Sequence, residues 1–276
     1  MKKILFPTDF SEVSRNAFIY ALKLAEFINA EIVTIYVYQL PQANYVNVSE
    51  YLHEMYNVTE LSNFENYKDE VPVLRKIAEE NNLTHIKICH VLILGNLVPE
   101  IKKITENENF DFVVMGTKGA TSLKETFFGT IATKVMNDVT ALVLAIPEHC
   151  RYYPIKKILF ITQYKPEDTG SFIRVLFLAK IFQAPIDCLH IASPQHEIKD
   201  ESREDWKVLV ENNEVTFHSI KGEDVEGIIL NFIDLHKINL IAMHVHHRNF
   251  FDKLFEISLS KKLAFHINVP ILAIHE

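Results

Sequence analysis

The chain has 276 residues and a formal net charge of −8, with 48% hydrophobic and 23% charged residues. That composition excludes disordered and fibrous classes. The absence of any cationic run interleaved with aromatics argues against nucleic acid as a partner, because binding phosphates needs clustered Lys and Arg. The scattered cysteines Cys89, Cys150 and Cys188 form neither a disulfide framework nor a Cys-x-x-Cys metal site. No apolar stretch reaches the roughly 18 residues of a membrane span, and Asp9 and Glu12 arrive too early for a signal peptide. A cytoplasmic protein without a membrane partner is expected.

Short β-branched runs alternate with helical patterns along the chain. In the first half, strands are predicted near 2–7, 31–37, 85–92, 111–115 and 141–146, and helices near 11–28, 66–81, 96–107 and 129–138. Ser11 is the expected cap of the first helix, its hydroxyl accepting from a bare first-turn amide. Residues 38–71 make a long polar and aromatic connection. It reads either as an ordered excursion with a helical turn around 49–57 or as a lid or partner surface. In the second half, strands are predicted near 156–161, 185–191, 213–219, 239–243 and 270–274.

The chain repeats itself. Lys2-Lys3-Ile4-Leu5-Phe6 recurs as Lys156-Lys157-Ile158-Leu159-Phe160, an offset of 154. Val139–Ile146 matches Ile267–Ile274 at an offset of 128, so the second half lacks residues that the first carries within 38–71. Two domains, 1–150 and 151–276, are expected. Alternating strands and helices imply α/β domains of similar build, each a five-stranded parallel sheet with helices on both faces. Ligands of such sheets sit at the carboxyl ends of the strands, where strand order reverses.

Glycine is scarce, yet Gly116, Gly119 and Gly129 all fall in the connection between the fourth strand and the following helix. Glycine permits close backbone approach, and a helix N-terminus presents unpaired N–H groups and a positive dipole end. Together these make a phosphate site, with the Thr130 hydroxyl available as a further donor. The plainer alternative is that the glycines only make turns. Lys118 is either a phosphate contact or a solvated loop lysine, and Asp9, just past the first strand, either a ligand acceptor or a turn aspartate.

Gly116-x-x-Gly119, nine further residues and Gly129-Thr130, together with the opening Ile4-Leu5-Phe6-Pro7-Thr8-Asp9, resemble the ATP-binding pattern of the universal stress proteins. The resemblance implies a tandem member of Rossmann-like, adenine nucleotide alpha hydrolase-like fold, and a role in stress response. Its cofactor would be ATP, ADP or AMP, with Mg²⁺ as an accompanying ion. By that resemblance Pro7, Thr8 and Asp9 line the adenine and ribose region, and Val37 flanks the base. Met115 and Gly116 lie by the ribose and first phosphate, while Gly119, Gly129, Thr130 and Ile131 hold the phosphates. It further implies that the two halves pair through their last strands, 141–146 and 270–274. Whether two chains pair again as a homodimer, and which protein receives the signal, stay open.

The second half departs from the pattern. His244, His247 and Ile257 stand where Gly116, Gly119 and Gly129 would be, and Gln163 stands for Asp9. Only Ser258 keeps a hydroxyl, so no tight ATP site is expected there. The cluster His244, His246 and His247 reads as exposed loop histidines, with a metal site as the alternative. No nucleophile elbow, HExxH helix or catalytic triad can be assembled, so slow ATP hydrolysis is the most enzymatic activity expected. The leading expectation is a nucleotide-dependent binding module, with a weak ATPase or a nucleotide-free interaction protein as alternatives.

Overall fold

The computed structural model describes residues 2–40, 49–118, 130–192, 206–210, 214–245 and 267–275. The first half contains β1 (Lys2–Pro7), α1 (Glu12–Ile28), β2 (Ala30–Tyr38), α2 (Ser49–Glu80), β3 (Ile88–Leu94), α3 (Leu97–Glu108), β4 (Phe112–Gly116), α4 (Thr130–Asp138) and β5 (Leu142–Ile146). The second contains β6 (Ile158–Ile161), α5 (Asp168–Phe182), β7 (Ile186–Ala192), β8 (Val215–Lys221), α6 (Val225–His236), β9 (Leu240–His244) and β10 (Ile271–Ile274).

All strands join one sheet in the order β3-β2-β1-β4-β5-β10-β9-β6-β7-β8. Every pairing is parallel except β5–β10, where Leu144 faces Leu272 across an antiparallel seam. The registers repeat as the sequence does. Ile4 lies opposite Ile32 and Phe112, and Ile158 opposite Ile186 and Leu240. Past the second strand of each half, the amide of Gly95 bonds Tyr38 O and that of Gly222 bonds Ala192 O. The residues missing from the second half therefore fall between β7 and β8, as the sequence offsets imply.

Buried strands explain the nearly unbroken apolar runs. One face is covered by α1, α2, α5 and a helical turn at 206–209, burying Phe6, Phe18, Phe160, Phe172 and Trp206. The other is covered by α3, α4 and α6, burying Leu5, Val113, Leu159 and Ile241. Helix α1 starts where its cap predicts, with Ser14 N donating to Ser11 Oγ at 3.2 Å, and it ends at Asn29 in the left-handed region (φ 54°).

Helix α2 corrects the sequence reading. The expected short turn at 49–57 and the separate helix from 66 are one helix of 32 residues that runs through Pro72. Its middle shows few apolar residues facing inward: Asn63, Tyr67 and Glu70 are half-buried, while Val58, Leu61 and Phe64 face solvent. Polar anchors hold it instead, with Arg15 Nη2 2.8 Å from Glu70 Oε2 and Tyr36 Oη donating to Asn63 Oδ1. No helix among the described residues is long and apolar enough to cross a membrane.

Candidate functional site

In each half the strand order is 3-2-1-4-5, so order reverses between the first and fourth strands. The crevice outside their carboxyl ends is where such sheets take ligands. In the first half, sheet register brings Pro7, Thr8 and Asp9 (end of β1), Val37 (β2) and Met115 and Gly116 (β4) to this edge. Because α4 returns from β4 to the parallel β5, its N-terminus with Thr130 and Ile131 opens at the same edge. Thr130 is exposed, Ile131 is 46% exposed, and the first turn of α4 holds no acidic residue. Gly119 and Gly129 lie outside the described residues, as do His246, His247, Ile257 and Ser258.

The turn after β1 is held by its own side chains. The Thr8 and Ser14 hydroxyls share a 2.8 Å hydrogen bond, and Phe10 N donates to Thr8 Oγ1 at 3.0 Å. Thr8 thus faces inward and is buried, whereas Asp9 is exposed, its Oδ1 accepting from Ser11 N and Ser11 Oγ. Phe10 adopts φ 58°, an uncommon left-handed conformation for a bulky residue. It packs its ring against Tyr36 and Tyr67, centroids 5.4 and 6.2 Å away. Burial pushes the Tyr67 phenol up to about 12. Val37 is half-buried and Met115 buried, on the α3/α4 side of the sheet.

Gly116 has a packing reason that spacing alone could not reveal. A Cβ there would stand 2.8 Å from Val13 Cγ1, so the glycine lets the end of β4 pass beneath α1. Lys118 is only 14% exposed and pairs with Glu148 at 3.2 Å; the solvated loop lysine is corrected to an ion-paired one. Thr117, which the motif did not mark, is 1% exposed and its Oγ1 has no hydrogen-bond partner among the described residues. Buried hydroxyls are normally satisfied, so Thr117 places at this sheet edge a hydroxyl that no other described residue takes.

The second half repeats this turn with different chemistry. Tyr164 takes φ 53° as Phe10 does, and its amide donates to Thr162 Oγ1 at 2.8 Å. Asp168, however, stands in the place of Ser14. Its buried carboxylate accepts from Thr162 Oγ1 (2.9 Å) and from the amides of Gln163 (3.0 Å) and Lys165 (3.3 Å). A fixed anion therefore already sits in the first turn of α5, where the dipole favours negative charge. His244, in the place of Gly116, is buried and hydrogen-bonded through Nδ1 to Ser171 Oγ. This corrects the expectation of an exposed loop histidine: α5 offers it a hydroxyl where α1 has Ala17. Val245 replaces Thr117 and is buried. Tyr164 packs edge-on against Trp206 at 5.2 Å, and His190, 5.7 Å from Tyr164, is held below the usual histidine range by burial.

These features define a doubly wound, Rossmann-like α/β protein built twice across an antiparallel seam. The family model described as the Universal stress protein family matches residues 1–147, and the chain belongs to that family. Two universal stress proteins of Methanocaldococcus jannaschii are similar to it. One is 32% identical over 152 residues, covering 52% of this chain and 81% of the relative. The other is 25% identical over 155 residues, covering 52% and 94%. A solved universal stress protein from Archaeoglobus fulgidus matches 99% of this chain and 96% of its own at a TM-score of 0.74 and 21% identity, a likeness of fold.

Proposed function

We propose that residues 1–150 bind ATP or a related adenine nucleotide, that residues 151–276 do not, and that occupancy of the first site changes the surface offered to a partner protein. The observation that carries this reading is the contrast between two edges of the same topology. At the first, an exposed Asp9, a side-chain-free Gly116, a Thr117 hydroxyl without a partner among the described residues and an α4 start without acidic residues converge on the switch point. At the second, Asp168 takes the turn amides, and His244 and Val245 fill the corresponding strand end. Phosphates are held by helix N-termini and glycine-flanked amides, and a carboxylate placed there repels them. The unmotivated reading, glycines as turns only, leaves the Thr117 hydroxyl without explanation.

A ligand acts on a partner only through differential affinity for two states of the protein. The 116–130 connection, joining β4 to α4, is the segment a bound triphosphate would bias. At most slow hydrolysis belongs to this reading, since turnover would need a positioned water, a base and usually a metal. The test is mass spectrometry of acid-released nucleotide from the untagged chain, followed by titration of stripped protein with ATP and Mg²⁺. About one adenine nucleotide per chain is expected. Asp9→Ala should weaken binding by about tenfold, the scale of one or two lost polar contacts, and Gly129→Val should abolish it. Gly116 is a poor probe, because any side chain there meets Val13. A stripped chain that takes up no nucleotide, or one whose uptake survives Gly129→Val, would sink the proposal.

A further inference from the structure

The second half carries a polar cluster at the opposite edge of the sheet, near the amino ends of its strands. Asp187 is the second residue of β7, His218 lies on the neighbouring β8, and His236 is the last residue of α6. Their ligating atoms all lie within 4.8 Å of one another. Asp187 is only 3% exposed. Its Oδ1 is 3.2 Å from His218 Nε2 and its Oδ2 3.1 Å from His236 Nδ1. Lys157 Nζ also stands 2.8 Å from Oδ2, yet Oδ2 makes no hydrogen bond of acceptable geometry with either neighbour. A buried carboxylate oxygen thus stands beside the Lys157 ammonium and the His236 ring without a well-directed hydrogen bond, and keeps lone pairs for a further ligand.

We propose that Asp187, His218 and His236 form a binding site for a divalent transition-metal ion of the zinc class. Two imidazoles and one carboxylate are the donor set such ions take, whereas Ca²⁺ and Mg²⁺ select all-oxygen ligands. With metal–ligand bonds of about 2.0–2.1 Å in a tetrahedron, neighbouring ligand atoms sit about 3.3–3.4 Å apart. Each oxygen of the Asp187 carboxylate stands beside one ring nitrogen, and the three ligand atoms lie within 4.8 Å of one another, so a modest inward shift brings them to that spacing. The rings are oriented by a buried aromatic: Phe232, one turn before His236, stacks on it at 3.9 Å and 6° and meets His218 edge-on at 4.9 Å. Such outer support fixes ring direction at metal sites. His218 and His236 are each about a quarter exposed, which gives an entry path and room for water at the open position.

The matching positions of the first half are Val33, Val91 and Glu108; with no imidazole among them, the site belongs to the second half alone. It ties β7, β8 and α6 together on the face away from the proposed nucleotide edge, and its role is structural. Lys157 competes with the metal for Oδ2; its side chain is 29% exposed and can swing into solvent.

The test uses the untagged, EDTA-stripped full chain, with Zn²⁺ binding followed by calorimetry and Co²⁺ by its visible absorption. One metal per chain is expected, with the melting temperature rising as Zn²⁺ is added. His218→Ala and His236→Ala should each weaken uptake by about tenfold or more, while His149→Ala, at an exposed position, should not. His236→Gln, checked by circular dichroism, serves if the alanine variant fails to fold. Lys157→Gln separates this site from a plain buried ion pair. Removing the competing cation should tighten metal binding by about three- to tenfold, whereas an ion pair alone predicts only lost stability. No uptake at micromolar Zn²⁺, uptake indifferent to both histidines, or weaker binding in Lys157→Gln would each overturn the proposal.

Discussion

Single residues decide what each strand end can hold, and several can be tested alone. Gly116 serves packing as well as any ligand. Its missing Cβ leaves room for Val13, a stiff β-branched side chain in the first turn of α1. Gly116→Ala should cost about 1–3 kcal/mol, the usual scale of overpacking, and Val13→Ala in the same chain should restore most of it. Urea unfolding of the two variants checks this; equal losses with and without Val13→Ala would show that the strain lies elsewhere. His190 predicts a pH dependence. Burial lowers its pKa in the fold, outweighing the raising influence of Thr162 O and Asp168, while the unfolded chain takes that proton near an ordinary value of about 6.5. The unfolded state therefore binds the proton first as pH falls. The contribution is complete above about pH 6.5 and is lost as pH drops below it. The loss of unfolding free energy between about pH 7.5 and pH 5.5 should be smaller in His190→Gln than in the wild type; parallel profiles would refute the assignment.

At the scale of elements, the turns β1–α1 and β6–α5 share one backbone and differ in what closes it. Both place a bulky residue at positive φ and both use the threonine before it as an acceptor. Ser14 closes the first turn with a hydroxyl, Asp168 the second with a carboxylate that takes two amides besides. Asp168→Ala should destabilise by about 2–4 kcal/mol, since it strands one buried hydroxyl and two part-buried amides that donate to a carboxylate, and Ser14→Ala by about 1 kcal/mol. Comparable costs in chemical denaturation would mean that Asp168 is not the keystone of its turn. The strand runs, the doubling and the cap of α1 were legible in the sequence, because burial on both sheet faces leaves unbroken apolar runs and a repeat keeps their spacing. The start of α2 was not, because its middle is fixed by Arg15–Glu70 and Tyr36–Asn63 rather than by an apolar stripe. Nor were the Gly116–Val13 contact or the Asp187–His218–His236 cluster, since only the folded sheet brings together residues far apart along the chain. Asp168 could have been found by carrying the 154 offset five residues beyond Asp9, where a serine becomes an acid inside a helix start.

At the scale of the whole molecule, the seam governs how far a ligand's effect can travel. β5 and β10 join the halves through only three paired positions, with Leu144 opposite Leu272, both buried. Further contacts cross between them: His275 Nε2 bonds Met136 O at 2.6 Å, and Phe27 stacks on Phe182 at 5.2 Å. One continuous sheet of this kind should unfold as one unit, so a nucleotide held by the first half stabilises the second as well. At about a hundred times its dissociation constant, the ligand should add about 2.7 kcal/mol to that single transition. Leu272→Asp buries an unpaired charge in the seam, which the surrounding apolar strands cannot solvate. In that variant calorimetry should resolve two transitions, with ATP moving only the one belonging to residues 1–150. If the wild type already melts in two steps and ATP shifts just one, the halves are energetically separate despite the shared sheet, and any signal from the nucleotide must leave through the first half alone.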